Sequence, residues 1–221
     1  YLVIVGDVNF KEVKKEVERL FGTWKKATAP QLSYTSPKDV QYSQINFIDT
    51  PNAVQSEIAL VNLSNLKMTD KEYFSVLLAN QILGGGGEGR LFLNLREKHG
   101  WTYGAYSSIG AGKYINKFRS SASVRNTVTD SAVVEFFNEL KRIKTELVSE
   151  EDLRNAKAKY VGNFVMQIEK PSTIAGYALN KETQGLPEDF YENYIKNINA
   201  VTAEDIKNAA NKYFLSDKTR V

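Results

Sequence analysis

The residue types that most often carry catalysis are scarce in this sequence. It contains one histidine, His99, and no cysteine. A catalytic zinc ion needs about three protein ligands, and the motif H-E-x-x-H cannot be formed with one histidine. His99 precedes Gly100, and a cation followed by glycine is typical of the end of a helix. The sequence therefore predicts that the chain holds no catalytic metal or thiol site of its own, and that His99 has a structural role.

A glycine-rich run, Gly-Gly-Gly-Gly-Glu-Gly, occupies positions 84–89. It does not indicate phosphate binding, because no Gly-Lys-Ser/Thr follows and the pattern before it is helical. It is typical of a connection between two helices, although four consecutive glycines exceed what a helix end requires. The sequence also lacks G-x-S-x-G, so a serine hydrolase of that type is not indicated.

Composition limits the remaining classes of function. The chain has 221 residues and a net charge of +3, from 29 basic and 26 acidic side chains, which is too balanced to indicate nucleic-acid binding. No apolar run approaches the roughly 18 residues of a transmembrane helix. The compartment stays open between cytoplasm and periplasm. The chain begins without methionine on an extended run and stops as another begins, so we expect a fragment of a longer protein.

Periodicity predicts the elements that position these residues. Residues 1–5 form a β-prone run, followed by a helix with an apolar stripe, and residues 23–42 are typical of a linker. Strands are expected near 45–49, 54–63, 102–109 and 114–124, and capping boxes at three helix starts: Thr69 with Glu72, Ser149 with Asp152, and Thr202 with Asp205. Strands followed by a block of helices predict an α+β fold, an antiparallel sheet with helices packed mainly on one face.

The division into domains follows from the same pattern. Residues 1–22 would be the β-α tail of a preceding homologous domain, residues 23–42 the linker, and residues 43–221 the main domain. The helix after Val8 and the helix after Val201 share an apolar and charged pattern at one constant offset. This similarity indicates either a duplicated domain or the chance likeness of two amphipathic helices.

The segment 89–107, Gly-Arg-Leu-Phe-Leu-Asn-Leu-Arg-Glu-Lys-His-Gly-Trp-Thr-Tyr-Gly-Ala-Tyr-Ser, carries a resemblance. It resembles the second-domain signature of the pitrilysin, insulinase and mitochondrial-processing-peptidase superfamily of zinc metallopeptidases. There a glycine-rich segment precedes a short helix, L-x-x-x-L-R-x-x-x-G-L-x-Y, and then a strand. Arg96 and Tyr103 match the spacing of the family's arginine–tyrosine pair, and Trp101 stands where the family has leucine. The resemblance extends over nearly the whole chain.

The resemblance implies a zinc-free, substrate-binding domain of the LuxS and processing-peptidase type. In that family, two halves enclose an extended peptide, and the opposite half carries the zinc motif H-x-x-E-H. Tyr103 would donate a hydrogen bond to the scissile carbonyl, and Arg96 would hold the peptide backbone or a carboxylate. Gly84, Gly85, Gly86 and Gly87 would contact substrate, as does the longer glycine-rich loop of the processing peptidase.

The resemblance also implies partners. The chain alone would be inactive and bind no cofactor, and zinc would be held by a catalytic domain or subunit. The complete protein would be a homodimer or a heterodimer acting on peptides. One alternative is an inactive scaffold subunit, like the core subunits of the respiratory quinol–cytochrome c reductase complex. Another is a peptide-binding or nucleic-acid-binding module, supported by a row of lysines: Lys11, Lys14, Lys15, Lys25 and Lys26.

Overall fold

A three-stranded antiparallel sheet forms one layer of the molecule. The computed structural model describes residues 1–30 and 32–221. The strands are β1 (Gln55–Ser64), β2 (Thr102–Ile109) and β3 (Asn116–Arg125), in the order β1-β3-β2. Alternate residues of each strand are buried, as the period of two requires for a sheet with one covered face.

Helices cover the buried face of this sheet. Their bounds are α1 (Phe10–Phe21), α2 (Tyr73–Gly84), α3 (Arg90–Phe92), α4 (Thr129–Thr145), α5 (Glu150–Ile168), α6 (Pro171–Gln184), α7 (Tyr194–Ala200) and α8 (Ala203–Tyr213). Helix α3 continues directly into a π-helical turn, Leu93–Lys98, which we call the π turn. Helices α2, α4 and α8 supply much of the core. The predicted α+β architecture is confirmed.

The end of α8 is tied to the sheet by apolar and polar contacts. Phe214 stacks on Phe118 of β3 with ring centroids 4.4 Å apart, and both side chains are fully buried. The buried Asn62 amide of β1 donates to the Tyr213 carbonyl at 3.0 Å and accepts from the Leu215 amide at 3.1 Å. These bonds satisfy a polar side chain inside the core, so α8 has one preferred position on β1.

The first 22 residues form a unit whose helix, α1, has no buried residue. The Asn9 side chain caps α1 by accepting from the Lys11 amide, as an N-cap asparagine should. No residue of α1 is buried, although the helix carries the predicted apolar stripe. Residues 1–5 have no strand partner in the part of the chain that the structure describes.

Predicted elements differ from the structure at residues 1–5, which form no strand, at residues 45–49 and at the start of α2. Residues 45–49 form no strand; Gln44 forms an isolated bridge with Arg220, and the Asn46 amide donates to the Val221 carbonyl at 2.7 Å. Helix α2 begins at Tyr73 with no side-chain cap, so the capping box at Thr69 and Glu72 was wrong: these residues lie in turns that precede the helix. The capping box at Thr202 and Asp205 is confirmed in full. At the start of α5, the Ser149 side chain caps the helix as predicted.

The predicted linker is anchored at its end. Asp39 forms an ion pair with Arg220 at 3.1 Å, which ties this part of the linker to the strand-like end of the chain. Gln31, inside the same predicted linker, lies outside the described residues.

Candidate functional site

The site is built on the connection between α3 and β2. Leu91 and Leu95 are fully buried and anchor the short helix and the π turn to the core. The His99 amide donates to the Asn94 carbonyl at 3.1 Å, five residues back, as a π turn requires. Gly100 then adopts φ +62°, a conformation that glycine tolerates best, and the chain enters β2. Such wide turns occur often at functional sites.

Arg96 projects from the π turn over an aromatic ring. Its guanidinium carbon lies 4.8 Å from the centroid of Phe92, one helical turn earlier. Its Nε lies 3.6 Å from a carboxylate oxygen of Glu97, and about half of the side chain stays exposed. The ring therefore orients the guanidinium while leaving donor groups available to a ligand.

Tyr103 stands almost fully in solvent. Its side chain is 86% exposed, and no side chain in the described chain bonds its hydroxyl. The pairing of β2 with β3 is irregular between Thr102 and Ala105, so Tyr103 lies at a bulge. Arg96 and Tyr103 thus lie on either side of Gly100, both exposed, and neither hydrogen bonds nor ring contacts join them among the described residues.

Sequence reasoning missed a third residue of this surface, Tyr106. Its ring centroid lies 6.0 Å from that of Phe92, and the side chain is 48% exposed. A Cβ atom at Gly104 would lie 2.6 Å from the Tyr106 hydroxyl, so the glycine makes room for this ring. The only signal in the sequence is the apolar character of position 106 in a strand whose neighbouring outward positions, Gly104 and Ser108, are small.

The four glycines predicted to contact substrate occupy different environments. Gly84 is buried, and a Cβ there would lie 2.5 Å from the Ser107 amide nitrogen. The lack of a side chain at Gly84 therefore lets the end of α2 pack closely against β2. Gly87 is exposed, whereas Gly85 and Gly86 are half-buried; Gly86 has φ +143°, and the Gly85 carbonyl accepts a bond from Lys159 at 3.3 Å.

A polar cluster holds the π turn against α4. The amide nitrogen of the buried Asn94 donates to carboxylate oxygens of Glu135 and Glu139, both at 2.7 Å. The hydrogen bond from Asn94, helped by one from Asn138, holds the pKa of Glu135 below its usual range against the opposing effect of partial burial. The cluster fixes the turn that carries Arg96.

The histidine and the acidic residues do not form a metal site. His99 ends the π turn and stacks on Trp101, with ring centroids 4.1 Å apart. Across the described residues, no group of three histidine, cysteine or carboxylate side chains is placed to hold a metal ion. The side chains present therefore do not fit a zinc ion. Over residues 1–30 and 32–221, no helix is long and apolar enough to cross a membrane.

Comparison with known proteins gives consistent matches. Residues 1–160 match the family described as "Peptidase M16 inactive domain". The chain is 26% identical over 211 residues to the "Probable inactive metalloprotease YmfF" of Bacillus subtilis, covering 96% of this chain and 48% of that protein. It is 30% identical over 234 residues to an "Uncharacterized zinc protease" of Rickettsia felis, covering 99% and 52%.

A solved structure shares the fold. The peptidase M16 inactive domain from Pseudomonas fluorescens superimposes with a TM-score of 0.85 at 24% identity, over 97% of this chain and 50% of that one. The chain spans about half the length of the curated relatives that it matches.

Proposed function

Because this chain belongs to the family of peptidase M16 inactive domains, we propose that it is the substrate-binding half of a two-part zinc peptidase. It holds an extended peptide opposite a metal site that another domain or subunit carries. The observation that supports this best is the exposure of Arg96 and Tyr103 on the two sides of one helix-to-strand connection. Because no described residue forms a hydrogen bond with the Tyr103 hydroxyl, that hydroxyl can donate to a ligand.

In this proposal each side chain has a separate task. The Tyr103 hydroxyl donates a hydrogen bond to the oxygen of the scissile carbonyl, where negative charge develops during hydrolysis. The Arg96 guanidinium, oriented by Phe92, donates to the peptide backbone or to a carboxylate. The half-buried Gly86 and the exposed Gly87 allow a peptide backbone to approach. In this proposal the partner supplies the zinc ion and its chemistry, since the described residues of this chain contain no group of three side chains placed to hold a metal.

Residues 1–22 support a partner domain. Their apolar side chains are exposed, including Leu2, Ile4, Phe10 and Leu20. An extended segment and an amphipathic helix with no buried residue are marginal alone in water, so they need a second surface. We assign them to the edge of the catalytic domain, either as the tail of a preceding homologous domain or within a homodimer or heterodimer.

Mixing experiments test the proposal. The 221-residue chain and a catalytic H-x-x-E-H domain, purified separately, should each fail to cleave fluorescein-labelled casein. Their mixture should cleave it, and a zinc chelator should abolish the cleavage.

An inactive scaffold is the second candidate, and the name of one relative, "Probable inactive metalloprotease", favours it. A scaffold would form stable complexes with catalytic partners while no mixture cleaves any peptide. That outcome, obtained with every catalytic candidate, would replace the proposed function.

A further inference from the structure

The face of the sheet opposite the helices carries an unbalanced charge. Residues of β3 alternate between buried and outward positions. The outward side chains are those of Lys117, Arg119, Ser121, Ser123 and Arg125. We call Lys117, Arg119 and Arg125 the basic row. Between Glu97 and Asp130 the sequence contains no aspartate or glutamate, so the hairpin of β2 and β3 provides cations without carboxylates.

The cations of the basic row lack carboxylate partners. Across the described residues, no ion pair contains Lys117, Arg119 or Arg125. The Arg119 guanidinium donates to the hydroxyl of Ser121, which is a neutral group. The one carboxylate in the three strands is that of Glu57, and it accepts a hydrogen bond from Ser123. The outward face of β3 therefore has an uncompensated positive potential that attracts anions.

The neighbouring strands leave the basic row accessible. Lys117 is exposed and Arg119 is half-buried. In the register of the sheet, Arg119 lies between Val61 of β1 and Ser108 of β2. Both neighbours are much shorter than arginine, and the helices pack on the other face of the sheet. The basic row can therefore be reached by a ligand that lies along β3.

The spacing of the cations favours an extended peptide. Alternate residues of a strand repeat at about 6.6 Å, and an extended peptide has the same repeat. Carboxylates at every second position of such a peptide can therefore meet Lys117 and Arg119 together. Nucleic-acid binding depends on the neutralisation of many phosphates, whereas the basic row has three cations.

The basic row is also within reach of the candidate site. Ser108, the neighbour of Arg119, lies five residues beyond Tyr103 on β2. At about 3.3 Å per residue this is a span of roughly 17 Å, which an extended peptide covers with about five residues. A peptide held at Tyr103 can therefore place a distant segment on the basic row.

We propose that the basic row binds an acidic segment of the peptide substrate, in which carboxylates stand at alternate positions. This inference rests on the proposed function, because it takes the ligand to be a peptide that also reaches Arg96 and Tyr103. It adds a second contact surface and the class of substrate sequence that this surface prefers.

Amide NMR of the isotopically labelled 221-residue chain at low salt detects weak complexes and locates them. The probes are acetylated nine-residue peptides of serine and alanine. One has three aspartates at every second position, one has them at every third position, and one has asparagine at every second position. The alternating aspartate peptide should bind at least about threefold more tightly than the asparagine peptide, since it adds exposed ion pairs. The peptide with every third position should bind less tightly than the alternating one, because its successive carboxylates point to opposite sides.

The shifts caused by the alternating peptide should centre on residues 116–125. The preference for aspartate should shrink as the salt is raised to about 0.5 M, because salt screens exposed charges.

A double variant and a matched control locate the preference. Lys117→Gln combined with Arg119→Gln should bring the alternating aspartate and asparagine peptides within about 1.5-fold of each other. Lys11→Gln combined with Lys15→Gln removes the same charge from exposed positions of α1 and should keep the preference. The amide spectrum of each variant also reports whether its fold is retained.

The outcomes separate this inference from the function beneath it. If aspartate and asparagine peptides bind equally and shift only amides near Arg96 and Tyr103, the proposed function stands and the basic row is overturned. If no peptide shifts amides in either place, both are overturned. A preference that survives in the Lys117 and Arg119 double variant overturns the basic row. So does a nine-nucleotide single-stranded RNA that binds the same residues more tightly than the alternating peptide.

Discussion

At the scale of single residues, some side chains of the candidate site are buried in the core, whereas others are exposed and can contact a ligand. Leu95 and Arg96 are neighbours on the π turn, yet one is fully buried and the other is half exposed. Tyr103 is exposed even though aromatic side chains gain much free energy from burial. Tyr103 forgoes that gain, and the proposed contact with a peptide would account for its exposure.

The first prediction concerns these two residues in a reconstituted, active complex. Tyr103→Phe and Arg96→Ala should each lower peptide turnover at least ~10-fold, since each removes a donor that stabilises the transition state or the bound peptide. Zinc content and the melting temperature should stay unchanged, because neither side chain is buried. Turnover is measured with a quenched fluorescent peptide. Tyr42→Phe, at an exposed position, is the matched control, and wild-type rates in both test variants would reject the assigned roles.

At the scale of elements, the sequence predicts regular segments well and irregular ones poorly. Strand β2 was predicted with its observed bounds, because alternation and Gly100 mark it in the sequence. The predicted strand at 45–49 was wrong, since pairing depends on residues distant in sequence: the Gln44–Arg220 bridge and the bond from the Asn46 amide to the Val221 carbonyl are too few for a strand. The predicted capping box at Thr69 and Glu72 was wrong because both residues lie in turns before α2 begins.

The candidate site, too, could be predicted only in part from the sequence. Arg96 and Tyr103 could be predicted as candidates from their spacing and the resemblance, whereas the π turn that carries Arg96 leaves no local pattern. Tyr106 could not be identified because its exposure depends on the small size of Gly104 and on the ring of Phe92 across the connection. Such placements are set by packing between elements, which periodicity does not encode.

The second prediction tests the joint between the π turn and α4. Asn94→Ala removes both bonds to Glu135 and Glu139 and leaves the buried Glu139 carboxylate with the Arg142 ion pair, at 3.8 Å, among the described residues. We expect a loss of about 1–3 kcal/mol in the free energy of unfolding at neutral pH. Urea unfolding followed by circular dichroism measures it. Asn138→Ala, which removes an exposed bond to Glu135, is the control and should cost less.

The pH dependence of this loss has a defined sign. The folded-state pKa of Glu135 is lowered, so its stabilising contribution is present above the unfolded pKa, and it is lost as the pH falls through the lower folded value. The stability difference between wild type and Asn94→Ala should therefore shrink as the pH falls below roughly 4. A difference that stays constant from neutral to acid pH would show that the carboxylate bonds do not carry it.

At the scale of the whole molecule, the chain consists of a packed body and a unit at residues 1–22 whose helix has no buried residue. The core contains residues from β1 to the end of α8, whereas α1 contributes none. The helix nevertheless has a capped start and an apolar stripe, so it is built to pack on something. The described residues provide no surface that covers this stripe. A partner domain would provide it.

Removing residues 1–22 should therefore leave the body intact. We expect the melting temperature of the shortened chain to change by less than ~3 °C, because no buried residue of α1 is lost and about 1 kcal/mol corresponds to 2–4 °C at this size. Phe214→Ala is the control: it empties a fully buried position beside Phe118, costs about 3–5 kcal/mol and should lower the melting temperature by on the order of 10 °C. The shortened chain should also lose binding to the catalytic domain, measured by titration calorimetry, since it lacks the proposed contact surface. A large drop in melting temperature would mean that α1 packs on this body, and undiminished binding would place the partner surface elsewhere.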